Sequence, residues 1–177
     1  KMHIVFFFLR NMKQRSILSA LLIGASIGAG FAAFESAGYA FIPIWQLFGY
    51  QTANPQFQVT PQAMADVISS SVMLRGFLAP GGHVAWAAVS GAALVLASKE
   101  MNVFDFSLLT NKRFLRLFVI PVVLHGLWDC PLSGAMNSIF PYLAYILLIF
   151  AIWTILLILV NMGLAEVGKS TKTDNNN

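Results

Sequence analysis

His125-Gly126-Leu127-Trp128-Asp129 lies near the end of an apolar run from Phe114 to Cys130. Such a run reads as a membrane-crossing helix. Two ionisable side chains four residues apart then share one face, roughly 5–6 Å apart at Cβ. Placing an imidazole and a carboxylate in hydrocarbon is costly, so both are expected to face the protein interior and to act together. Two other apolar segments each supply one partner, Glu35 and His83. The sequence therefore predicts one intramembrane polar site, made of Glu35, His83, His125 and Asp129, in an all-α polytopic membrane helix bundle.

Composition supports the membrane reading. The chain has 177 residues, 58% hydrophobic and only 10% charged, with a mean hydropathy of +0.72. A soluble domain carries about 25% charged residues. Residues 1–177 read as a single membrane-embedded domain with no room for a soluble second one. Most of the formal +4 charge falls in loops, which fits orientation in a lipid bilayer and not nucleic-acid binding. The single cysteine, Cys130, excludes an internal disulfide and reads as a small buried apolar residue.

Working outward, His3 to Leu9 is too short for a bilayer, which takes about 20 residues. It reads as the end of a membrane helix whose beginning lies upstream of Lys1. After Arg10, Lys13 and Arg15, the first span runs from Ile17 to Trp45 with Glu35 as its one charge. At ~1.5 Å per residue it exceeds a ~30 Å hydrocarbon core, so it tilts or lays its end past Pro43 on the interface. Gly24, Gly28 and Gly30, with Ala25, Ser26 and Ala29, give it a small-residue surface, and Gly24-xxx-Gly28 allows close helix packing. Gln51 to Thr60 reads as a polar loop. Thr60 or Pro61 starts an interfacial helix reaching Leu78, and Pro80-Gly81-Gly82 ends it. His83 to Ser98 is the second span, Phe114 to Cys130 the third and Tyr142 to Leu164 the fourth. The pattern is thus about four transmembrane helices plus one interfacial helix. The loop at 131–141 is uncharged, and 165–177 reads as a disordered cytoplasmic tail in which Glu166 is solvated.

Basic residues alternate between connections. Arg10, Lys13 and Arg15, then Lys99, Lys112, Arg113 and Arg116, then Lys169 and Lys172, mark one side; the other side holds only Arg75. The positive-inside rule places the first set and the C-terminus in the cytoplasm. Glu35, His83, His125 and Asp129 then all fall in the outer half of the membrane.

Imidazole and carboxylate ligands suit zinc with an open position for water, and Glu35, His83 and His125 are the candidate metal ligands. A bound metal would lower the pKa of that water toward ~7 and polarise a carbonyl, with a remaining carboxylate as general base. Without metal, Glu35 activates water while a histidine stabilises the oxyanion. Both schemes describe amide hydrolysis inside a membrane. An intramembrane carboxylate also serves proton or ion transfer, and a buried His–Asp pair also serves as a purely structural contact.

Phe31-Ala32-Ala33-Phe34-Glu35, followed by Tyr39, resembles the FxxxE motif of the PrsW family of intramembrane proteases, relatives of the type II CAAX prenyl endopeptidases. His83, after Arg75 and the Pro80 turn and before Gly91, resembles that family's middle histidine segment. His125-xxx-Asp129 resembles its last histidine motif, and the order holds over residues 17 to 135. The resemblance implies an intramembrane endopeptidase with catalytic Glu35, His83, His125 and Asp129. It also implies a single-span membrane protein substrate, of the anti-sigma-factor kind, cut near the outer face of a bacterial cytoplasmic membrane. The family's EExxK motif is not found in this chain; it is expected upstream, with Lys1 as its lysine. The alternative is a non-proteolytic relative, a membrane scaffold or small transporter.

Overall fold

The computed structural model describes residues 2–130 and 140–174, and within these it is helical with no strands. The helices are α1 (Met2–Arg10), α2 (Ile17–Tyr39), α3 (Phe41–Ala53), α4 (Pro61–Leu78), α5 (His83–Met101), α6 (Lys112–Asp129) and α7 (Phe140–Asp174). Single-turn helices at Ala79–Gly81 and Phe106–Thr110 join α4 to α5 and lead into α6.

α5 is the axis of the bundle. Every residue from Ala85 to Ser98 is buried, and α5 is apolar on all sides, as a helix surrounded by others must be. α2 packs along it more extensively than any other helix. That approach depends on the glycines. A Cβ on Gly24 would sit 2.3 Å from the Ala87 carbonyl oxygen, and one on Gly28 would sit 2.3 Å from that of His83. Gly91 of α5 meets the Ala20 carbonyl in the same way at 2.6 Å. Gly30, in contrast, faces open space. Backbone contact of this kind is how helices associate where lipid supplies no hydrophobic drive.

Local signals set the helix ends. Ser16 caps α2 by accepting from the Ser19 N–H, and the Ser19 hydroxyl oxygen accepts from the Ser16 N–H in return. Thr60 caps α4, with Pro61 at its first position. Pro43 falls in the first turn of α3, where a missing N–H costs nothing. The break between α2 and α3 therefore comes at Ala40, and helix continues to Ala53, through the start of the expected polar loop.

Among the described residues, three stretches are long and apolar enough to cross a membrane: Ile17–Ala53, Pro61–Met101 and Leu143–Lys172. They contain the expected first and second spans and all but the first residue of the expected fourth. The expected third span, α6, does not qualify by length and composition, because its 18 residues include Lys112, Arg113, Arg116 and Asp129. The expected tail from 165 differs more. α7 continues through Asp174, and Glu166 is not a free solvated residue. Its Oε2 accepts the Ile17 N–H at 3.2 Å and its Oε1 meets Lys99 Nζ at 2.5 Å. Polar composition hid a contact spanning three helices. Cys130 is exposed, not buried, because it lies just past the end of α6. The expected loop at 131–141 lies, for residues 131–139, outside the described residues.

Candidate active site

The site forms where α2, α4, α5 and α6 meet. Glu35 occupies the last third of α2, five turns beyond its cap. His83 is the first residue of α5, aimed by the Pro80-Gly81-Gly82 turn. His83 Nε2 lies 2.5 Å from Glu35 Oε2. An ionised carboxylate only accepts, so the imidazole donates from Nε2. The His83 side chain is 9% exposed and the Glu35 side chain 25%, so the pair stands at the wall of a cavity open on one side. That cavity is lined by Glu35, Ser36, Tyr39, Arg75, His83, Trp86, Trp128 and Asp129, among others.

His125 approaches from α6. Its ring centroid is 5.0 Å from that of His83, edge to face. Trp86, one turn after His83, stacks on the His125 ring at 4.5 Å and 23°. His125 Nε2 is 3.1 Å from Asp129 Oδ2, the contact expected of their four-residue spacing. Glu35, His83, His125 and Asp129 thus form a chain of contacts, in which Glu35 touches His83, His83 packs on His125, and His125 bonds Asp129. A second cavity borders the His83, Trp86 and His125 rings. It is bounded by His83, Trp86, Ser90, Phe118, Pro121, Val122 and His125.

Two participants escaped the sequence reading. Trp86 holds the face of His125 and also meets Trp128 edge to face at 5.8 Å. Arg75 donates from Nη2 to Glu35 Oε2 at 2.7 Å and from Nε to Ser36 Oγ at 3.4 Å. Its guanidinium carbon lies 4.0 Å above the Tyr39 ring. A signal for Arg75 existed: it is the one basic residue of its helix, and the alternation of basic residues predicts it on the same side of the membrane as the lone carboxylate Glu35.

The donor types suit zinc, but their placement does not. Two tetrahedral ligands at ~2.0–2.2 Å from an ion stand about 3 Å or more apart. Glu35 Oε2 and His83 Nε2 are in direct contact at 2.5 Å, and Oε2 also holds Arg75. Among the described residues, no three His, Cys, Asp or Glu side chains are grouped to hold a metal ion.

No curated protein and no solved structure matches this chain. One family model does, and it spans both histidine segments and the glutamate helix, residues 1–158, under the description PrsW family intramembrane metalloprotease. With that match over most of its length, the chain belongs to the PrsW family of intramembrane proteases, and is an integral membrane protein of a peptidase family.

Proposed function

We propose that this protein is an endopeptidase that cuts a single-span membrane protein near the outer face of the bilayer. The observation that supports this most strongly is the Glu35 carboxylate against the His83 imidazole at the wall of an open cavity, with the His125 ring packed on that of His83 behind it. Glu35 is the general base. It takes a proton from water as the oxygen attacks the scissile carbonyl, and returns it to the leaving amine as the C–N bond breaks. His125, held by Asp129 through Nε2 and carrying a proton on each ring nitrogen, donates from Nδ1 to the carbonyl oxygen as negative charge develops there. His83 fixes the Glu35 carboxylate from the buried side. Family members are described as metalloproteases, and Glu35, His83 and His125 are ligands of the right chemical type. Because they do not stand in ligating positions, no step here passes through a metal.

The proposed arrangement in the membrane is four spans, with α6 as the third and α4 at the outer interface. The C-terminus then lies in the cytoplasm of a bacterial cell, and the substrate is of the anti-sigma-factor kind that the family resemblance implies. Single-span reporters tagged on both sides of the membrane, co-expressed with each variant, test the chemistry. Glu35→Gln and His125→Ala each lower cleavage at least ~10²-fold while the protein still inserts. Near-normal cleavage by either variant would overturn the assignment.

A further inference from the structure

We infer that Arg75 is a positioning residue that selects which oxygen of Glu35 acts as the base, an inference that rests on the protease reading above. Both contacts of the Glu35 carboxylate, from Arg75 Nη2 at 2.7 Å and from His83 Nε2 at 2.5 Å, fall on Oε2. Oε1 receives neither and is the oxygen left for water. A carboxylate without these two anchors rotates about its last torsion and presents either oxygen, because that torsion is broad.

The guanidinium is itself held from three sides, all by α2. Glu35 and Ser36 bond its nitrogens, and Tyr39, one turn on, lies under its plane. A planar fork with stacking and in-plane donors is what arginine offers and lysine does not. Arg75 is carried by α4, whereas the other four site residues belong to α2, α5 and α6. The docking of α4 on α2 therefore sets the orientation of the base. The neighbouring charge on α4, Asp66, is bonded to Gln62 one turn earlier and takes no part.

The test uses the full-length protein in lipid vesicles and two readouts. The first is dicyclohexylcarbodiimide, an apolar carboxyl reagent, followed by mass spectrometry of the peptide containing Glu35, with Glu35→Gln as blank. The ion pair with Arg75 protects Glu35 in the wild type, Arg75→Gln loses that protection, and Arg75→Lys retains part of it. Equal labelling of wild type and Arg75→Gln overturns the inference. The second is steady-state cleavage of the tagged reporter. Removing a group that orients a catalytic residue costs ~10–100-fold. That loss falls on kcat with KM unchanged in Arg75→Gln, and Arg75→Lys recovers part of it. Unchanged kcat, or a loss confined to KM, overturns the inference. If Arg75→Gln is not monodisperse, Arg75→Lys against wild type carries the same comparison, since it keeps the charge and loses the fork. Absence of cleavage by the wild type overturns the protease reading and the role of Oε1 with it, while the labelling still decides whether Arg75 holds Glu35.

Discussion

Asp129 does its work one bond away from the proposed chemistry. Its side chain is 65% exposed, yet its carboxylate meets His125 Nε2 at 3.1 Å, and Trp86 stacks on the face of the ring. Replacing the carboxylate by an amide keeps the shape and removes the charge that fixes ring orientation. Asp129→Asn is therefore expected to lower cleavage ~10–100-fold, less than His125→Ala, with unchanged expression. Cleavage of the tagged reporter measures it, and parity of Asp129→Asn with wild type would show that His125 needs no orienting partner. At this scale the sequence was informative where chemistry is expensive. Glu35, His83, His125 and Asp129 stand out because ionisable groups are rare in apolar helices, and the structure brings them into one run of contacts. Trp86 gave no signal, and that of Arg75 was weak. A tryptophan in an apolar helix has many uses, and an arginine in a polar-looking helix has a ready solvated alternative. Only the three-dimensional approach of α4 to α2 separates these cases.

Between elements, the small residues are the part that the sequence located without being able to rank. Gly24 and Gly28 show the four-residue spacing of a close contact, and the structure uses both against α5. Gly30 is equally small and unused. The difference is a matter of helix face, and α2 is too uniformly apolar for its pattern to say which face is inward. Gly24→Val and Gly28→Val must push α5 away or be absorbed by strain, at a cost of about 1–3 kcal/mol each. Gly30→Val meets nothing. Thermal unfolding in detergent should show lowered midpoints for the first two and a near-wild-type midpoint for the third. A fall of Gly30→Val equal to theirs would mean that the cost lies in helix propensity and not in packing. The charges of α6 explain the reading of that helix. Lys112 and Arg113 precede Phe114 and Arg116 follows it by two residues, so a run starting at Phe114 carries fewer charges than the whole helix does.

Across the whole molecule, three helices are tied together at the side opposite the site. The Glu166 carboxylate joins the N-terminus of α2 through the Ile17 N–H and the last turns of α5 through Lys99. Long-range order of this kind is invisible in sequence, since partners 67 and 149 positions away leave no local pattern. Glu166→Ala is expected to lower stability by about 1–2 kcal/mol, and the double variant with Lys99→Ala to cost less than the sum. Additive losses would mean that the pair is a coincidence of surface charge. The clamp leaves cleavage intact at temperatures where the protein is folded, because it touches none of the site residues.

The same geometry gives the topology a direct test. Glu35, His83, His125 and Asp129 lie toward one end of the bundle, while Lys99, Glu166 and the start of α2 lie toward the other. Basic residues concentrate at the second end, so the positive-inside rule assigns it to the cytoplasm and the site to the outer half. Asn54, at the end of α3, is partly exposed and Ser170, in the last turns of α7, is exposed, and the two belong to opposite ends. Cys130 is exposed and must first be replaced, so the background is Cys130→Ser. In intact cells an impermeant maleimide should label Asn54→Cys, and it should label Ser170→Cys only after the membrane is opened. The reverse pattern would place the Glu35 cavity on the cytoplasmic side. The protease would then meet a substrate from the inner face, and the outer-face cleavage proposed here would have to be abandoned even if Glu35 and His125 prove essential.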